Sequence, residues 1–424
     1  MSTKISLFGN FGTRNIGNEC TLKAIIHSIR RFLPEADINC ICSTPEDVLS
    51  RHGVPAFPIS CRSEGPPRRS GRGPWRLVAR IWRGIFRRIP HELREVARIR
   101  QTLSGRDMLI MTGTGMLGDG GESSLGYPFE ILKWTLLAKL YRLKVLFVSV
   151  GVEPMRSKMT QWLVRLSLDG ADYVCFRDQH SQQNMTKMGF HRKSFVFPDL
   201  AFSLPEAASP PPPGTEADRP VVGVGLYDYC GRGTSGEEAR LLYHDYLDKI
   251  GQFVTWLVDR KYPVRILIGD ITYDDPVRED LRRSLEKKGI VYGERRIVDE
   301  PISSIPDLFR QIGSTDIVVA SRFHNVVISL ILARPVISIS YNRKNDVLMA
   351  ATGLPECCMR IADFDVPGLI GKFESIERRV PEIRLRIIEK IQEYRLALDE
   401  QYRLIFATLS KRPSPPSGDE PDLS

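Results

Sequence analysis

The chain has no long uninterrupted apolar run. Its longest candidates, Val145 to Val152 and Val326 to Ala333, fall well short of the roughly 18 residues a membrane-spanning helix needs, so both read as buried strand or helix. It also lacks any C-x-x-C pair. Cys20, Cys40, Cys42, Cys61, Cys175, Cys230, Cys357 and Cys358 are scattered, which favours reduced, buried thiols over a disulfide framework or a zinc site. The first glycine-rich segment, Gly9 to Glu19, lacks the G-x-G-x-x-G spacing and is followed by no P-loop lysine, and no cluster of His, Asp and Glu has the look of a metal ligand set. No metal and no other cofactor is therefore expected. A strand pattern opening at Lys4 leaves no room for a signal peptide, and the expectation is a cytoplasmic protein.

Excess charge is missing from most of the chain as well. The net charge is +9, but the stretch Arg68 to Arg100 alone holds eleven Arg against two Glu, so the remainder is balanced. A single basic patch, without zinc-finger spacing or RNP-like aromatics, does not describe a nucleic-acid groove, and nucleic acid is not an expected partner.

What is present is the composition of a folded protein: 424 residues, 42% hydrophobic and 26% charged, enough for two or three domains. Short β-branched runs (Ile5–Phe8, Ile38–Cys42, Met108–Met111, Val145–Val150, Tyr173–Phe176, Phe195–Phe197) alternate with amphipathic segments such as Glu19–Phe32, Phe129–Tyr141 and Ser157–Leu168. This predicts an α/β fold with mostly parallel sheets covered on both faces. At Glu206 to Pro220 the chain reads EAASPPPPGTEADRP, a stiff spacer. Beyond it the alternation restarts, with strands at Val221–Leu226, Val264–Ile268, Ile317–Ala320 and Val336–Ile339. The expected organisation is one unit over 1–205, a linker over 206–220, a second unit over 221–380, a bracing helix over 381–409 and a disordered tail over 410–424. Two such units imply an interdomain cleft.

Four segments carry possible chemistry. Gly9-Asn10-Phe11-Gly12-Thr13-Arg14-Asn15-Ile16-Gly17-Asn18-Glu19 joins the first strand to the first helix; its glycines and the polar Asn15, Asn18 and Glu19 suit either a ligand site or a structural turn. Thr112-Gly113-Thr114-Gly115 follows a strand directly, so Gly113 and Gly115 line the cleft or form a surface loop. Arg177-Asp178 ends another strand; Asp178 suits a helix N-cap, which leaves Arg177 unexplained. The strongest is Ser321-Arg322-Phe323-His324 at a strand-to-helix turn, where free N–H groups and the helix dipole favour an anion. Lys344 follows the next strand, either beside the same mouth or as a solvated surface lysine.

In this order the N-x-G-x-E element, the glycine loop, Arg177-Asp178 before a helix containing Ser181, Pro198-Asp199, S-R-F-H, and P-V-I-x-I-x-Y-x-x-K ending at Lys344 resemble the polysaccharide pyruvyl transferase family, over roughly Lys4 to Leu348. Asn18 departs from the acidic residue common in relatives, and about 61–100 is an insertion. The resemblance implies two Rossmann-like domains in a GT-B-type arrangement. It also implies phosphoenolpyruvate as donor and a glycan or lipid-linked oligosaccharide as acceptor, with formation of a pyruvate ketal and release of phosphate. Arg177, Arg322 and Lys344 would then hold the donor's anions and His324 would carry general acid/base work. A nucleotide-sugar glycosyltransferase of the same architecture and a non-catalytic glycan- or membrane-binding relative are the alternatives.

Within the insertion, Trp75, Val78, Trp82, Ile85, Phe86 and Ile89 follow helical spacing, with Arg76, Arg80, Arg83 and Arg87 opposite. That pattern suits a helix docked on its own domain, or one in a membrane interface placing the protein peripherally at the inner face of the cell membrane.

Overall fold

A computed structural model describes residues 2–60, 92–113, 115–119, 126–205, 219–229, 236–290 and 296–409. The amphipathic pattern at Trp75 to Ile89, most of the proline-rich spacer and the tail from Ser410 lie outside the described residues.

The first unit is a seven-stranded parallel sheet in the order β3-β2-β1-β4-β5-β6-β7. Its strands are β1 (Lys4–Phe8), β2 (Asp37–Cys42), β3 (Ala56–Pro58), β4 (Met108–Thr112), β5 (Lys144–Val150), β6 (Tyr173–Phe176) and β7 (Phe195–Val196). Its helices are α1 (Ile16–Phe32), α2 (Pro45–His52), α3 (92–103), α4 (Tyr127–Leu140), α5 (Lys158–Asp169) and α6 (Gln179–Lys187). The second unit is a six-stranded parallel sheet in the order β10-β9-β8-β11-β12-β13. Its strands are β8 (Val222–Gly225), β9 (Val264–Leu267), β10 (Ile297–Val298), β11 (Ile317–Ala320), β12 (Val336–Ser340) and β13 (Cys358–Arg360). Its helices are α7 (Glu237–Asp259), α8 (Ile271–Lys287), α9 (Ile305–Gly313), α10 (Phe323–Ile331), α11 (Arg343–Ala351) and α12 (Val366–Glu377).

Strands β4, β8, β11 and β12 are buried along their whole length, as expected for runs apolar on both faces. In each unit the strand order reverses beside its first strand, between β1 and β4 and between β8 and β11. Loops at the carboxyl ends of these strands flank the switch point, where such sheets bind ligands. Those loops are the glycine segments after β1 and β4, the Tyr227 segment after β8 and the S-R-F-H turn after β11.

The last helix, α13 (Val380–Arg403), returns to the first unit. Tyr402 is fully buried, its hydroxyl 3.1 Å from that of Ser203 and its ring against Phe32 and Phe406. Gln401 reaches Ser149 at 3.3 Å, and the exposed rim closes with Arg31 and Asp399. Ser149 itself has φ 49°, at the point where the β5–β6 register shifts. Because this helix ties the chain's end to the first unit, Tyr402→Ala is expected to cost about 3–5 kcal/mol, the usual range for deleting a buried aromatic. Urea denaturation followed by circular dichroism checks this, and an unchanged midpoint would remove the strap from the stability account.

Candidate active site

Three helix N-termini meet where the two units touch. Helix α1 begins after Asn15, whose side-chain carbonyl accepts from the Gly17 and Asn18 N–H groups. Helix α8 begins after Asp270, which accepts from Thr272 and Tyr273. Helix α10 begins after Arg322 with no side-chain cap. Asn15 Nδ2 donates to Asp270 Oδ2 at 2.9 Å, and the backbones form an antiparallel bridge in which Ile16 N–H donates to Gly269 and Ile271 N–H to Arg14. Helix starts carry partial positive charge, so their convergence favours an anion. Asp270 supplies one; burial raises its pKa, partly countered by Arg322.

His324 lies in this junction with its Nδ1 edge against the Cα of Gly17; a methyl group there would fall inside the imidazole's van der Waals envelope. Its Nε2 is buried without a hydrogen-bond partner among the described residues. Burial pushes its pKa down to about 4. Asp199 opposes this, and Arg177, Lys344 and Arg322 reinforce it. At neutral pH the imidazole is therefore uncharged, able to accept a proton.

Arg177 comes from the other unit. Its guanidinium packs over the Phe323 ring at 4.6 Å and against Gly151, where a Cβ would lie 2.7 Å away. Its carboxylate neighbours are distant for ion pairs: Asp199 at 3.6 Å and Asp178 at 3.4 Å. Asp178 caps α6 by accepting from Ser181 N–H, as its position at the strand end predicts. Lys344 is mostly buried. Its ammonium sits 5.7 Å from the Phe323 ring centre and 3.5 Å from Glu153 of the first unit. Glu153 in turn needs Gly115 and Gly118, since a Cβ on Gly115 would meet its carboxylate at 2.7 Å. Gly113 has φ 139° and open space beside it.

Two expected ligand contacts have other work. The fork of Arg322 grips the fully buried Asp274, with Nε at 2.8 and 3.0 Å and Nη2 at 2.6 Å, and lies over Tyr227. Burial disfavours the guanidinium's charge, but Asp274 more than offsets this and raises its pKa. Nε and Nη2 of the fork expected to meet the donor thus hold the turn in place. Glu19 is likewise buried, accepting from Gly12 N–H and paired with His52 Nε2, both at 2.8 Å, so it shapes the first loop. Asn18 donates to the Asn10 carbonyl within that loop.

Asp199, Glu153, Asp270 and Asp274 belong to the site although the sequence reading did not select them. Asp199 was visible as part of Pro198-Asp199, and Asp270 follows a strand end. Asp274 sits within helix α8 and has no comparable signal. Among the described residues no group of three or more His, Cys, Asp or Glu could hold a metal ion.

The family profile for polysaccharide pyruvyl transferase matches residues 15–343. No curated protein sequence matches. Among solved structures, a UDP-GlcNAc 2-epimerase from Neisseria meningitidis bound to UDP-GlcNAc superposes with TM-score 0.60 at 12% identity, covering 97% of this chain and 100% of its own. A glycosyltransferase from Rickettsia africae gives 0.58 at 12%, covering 96% and 99%. A lipopolysaccharide outer core galactosyltransferase gives 0.51 at 13%, with the same coverage. At these identities the likeness establishes the fold: two Rossmann-like units in the GT-B arrangement.

Two outcomes follow from this geometry. Gly17→Ala should improve the intrinsic helix propensity of α1, yet drive the new methyl into His324. The expected result is unchanged helicity with about 100-fold or greater loss of any activity that requires His324, and a variant with wild-type rate would mean that the close approach is not needed. His324 also makes stability depend on pH. Its folded pKa near 4 lies below the unfolded value near 6.5, so between those limits the unfolded chain binds more protons and stability falls as pH is lowered. Urea midpoints measured from pH 7 to pH 4 should decline less steeply in His324→Asn than in wild type; equal slopes would remove His324 as the source.

Proposed function

The chain belongs to the polysaccharide pyruvyl transferase family, and on that footing we propose that it transfers the pyruvyl group of phosphoenolpyruvate to hydroxyls of a polysaccharide or its lipid-linked precursor. The observation that carries this is the pairing of an uncharged, buried imidazole, His324, with the cations Arg177 and Lys344 where three helix N-termini converge. A donor carrying both a phosphate and a carboxylate needs such a cluster, and Arg177 can meet either group with a planar fork.

In the proposed reaction a sugar hydroxyl adds to C2 of the enol phosphate while C3 gains a proton. A neighbouring hydroxyl then attacks C2, the bond from C2 to the phosphate oxygen breaks, and the ketal closes as phosphate leaves. His324 takes the proton of the attacking hydroxyl; of the two hydroxyl protons released, one ends on C3 and the other leaves with the phosphate. Binding of the donor's negative charge beside it raises its basicity, so the proton is better held in the complex than in the free protein. Arg322, fixed by Asp274, presents the turn that carries His324. Asn15, Gly113 and Gly115 shape the mouth of the site, with Gly115 leaving room for Glu153 opposite Lys344.

The acceptor's anchoring is a separate matter. No helix among the described residues is long and apolar enough to cross a membrane. The proposed peripheral contact through 75–89 rests on its sequence pattern alone.

The test is incubation of the full chain with labelled phosphoenolpyruvate and a panel of glycans, following label and inorganic phosphate. Wild type should move label to glycan and release phosphate in equal amounts. His324→Ala should lower the rate by about 10²–10⁴, the usual share of general acid/base catalysis. Arg177→Lys should raise the donor KM. No phosphate release from any acceptor, or release of a nucleoside diphosphate from nucleotide sugars instead, would replace this reading with the glycosyltransferase one.

A further inference from the structure

Helix α1 has a second role along the seam. Gly17 turns toward His324, whereas Ile16, Glu19, Lys23, Ile26, His27 and Arg30 follow the i, i+3, i+4, i+7 spacing of a different face. That face lines an open cavity of about 500 Å³, bordered on the other sides by Arg51 and His52 of α2, Pro205, and Ser304, Ile305 and Pro306 at the start of α9. Both units therefore contribute walls. The volume is in the range of pockets that hold small organic molecules.

The lining is one-sided in charge. Lys23, His27, Arg30, Arg51 and His52 converge on it. Glu19 is there too, but its carboxylate is matched by Gly12 N–H and His52. Arg51 is held by Asp47 and by the Ser303 carbonyl across the seam. His27 and Arg30, both exposed, have no carboxylate partner among the described residues. Ile16, Ile26 and Ile305 supply an apolar floor. A charged edge over an apolar floor suits a molecule with an anionic head and an organic body.

We propose that this cavity is a second ligand site, separate from the His324 site, for a small organic phosphate. Arg30 and His27 meet its anionic group, and its body lies on the isoleucines. Because α1 and α9 belong to different units, an occupant bridges them and favours the arrangement in which Asn15 meets Asp270. The inference needs only the cavity and its charges, and does not depend on the identity of the reaction at His324.

The experiment is isothermal titration calorimetry of the full chain with inorganic pyrophosphate, without donor or acceptor. Three proteins are compared: wild type, His27→Ala/Arg30→Ala, and Arg177→Gln, in which the other anion site is disabled. The expected result is that Arg177→Gln retains the seam binding while the seam pair weakens it about tenfold or more, as loss of charge-assisted hydrogen bonds does. Arg30→Glu alone, at an exposed position, should weaken it similarly and guards against misfolding of the double variant. Absence of millimolar binding in wild type, equal affinity in the seam variants, or complete loss of binding in Arg177→Gln would each overturn the proposal. The glycan-labelling assay is independent of these titrations, so the two readings fail separately.

Discussion

The second unit's half of the site hangs on one carboxylate. Asp274 is fully buried, and it accepts from Asp228 N–H, Gly269 N–H and Asp270 N–H as well as from the Arg322 fork. It thereby ties together the loops that follow β8, β9 and β11, the first and last of which flank the switch point. Removing one partner of such a buried pair typically costs about 3–5 kcal/mol, because the other is left charged and unpaired. Here the loss would be larger in consequence than in energy, since three backbone donors would lose their acceptor together. Gly269 is part of the same arrangement: a Cβ there would press on Arg322 and Asn325.

From that anchor the contacts run outward to the first unit. Asp274 fixes Asp270, Asp270 receives Asn15, and Asn15 caps the helix whose second residue, Gly17, admits His324. Each step is a hydrogen bond or a close approach, so the position of His324 depends on both units being seated. The turn is braced from behind as well. Asn345 donates to the Ser321 carbonyl at 3.0 Å, and Tyr246 lies 3.4 Å from the Ser321 hydroxyl.

Much of this was legible in the sequence. Runs apolar on both faces gave the long central strands, and helix α9 begins and ends at the residues its pattern indicates, Ile305 and Gly313. The edge strands β3, β10 and β13 were not legible, because two or three residues are too few to establish a period of two. The helical pattern of α8 reads from Asp275, four residues after its observed start at Ile271; the helix is capped by Asp270 and carries Pro276 inside it. Arg177, His324 and Lys344 could be picked out because strand ends and helix starts project toward a cleft. Asp274 could not, since a carboxylate in the first turn of a helix reads as an ordinary dipole partner until the tertiary fold sets Arg322 against it.

The distances separate scaffold from ligand site. The bonds between Arg322 and Asp274 run from 2.6 to 3.0 Å in a fully buried setting, a geometry that a ligand would have to break at the expense of the fold. The other cations are held differently. Arg177 stands 3.4 and 3.6 Å from its carboxylates, and Lys344 stands 3.5 Å from Glu153. At those separations a carboxylate neutralises a buried cation without saturating its donors. An incoming phosphate or carboxylate can therefore take up the directional hydrogen bonds that Asp178, Asp199 and Glu153 leave weak. Both cations also meet the Phe323 ring, Arg177 at 4.6 Å and Lys344 at 5.7 Å from its centre. The S-R-F-H turn thus divides its labour: Arg322 anchors, Phe323 contacts the cations contributed by two different elements, and His324, uncharged beside them, is the group to which the proposed proton transfer is assigned.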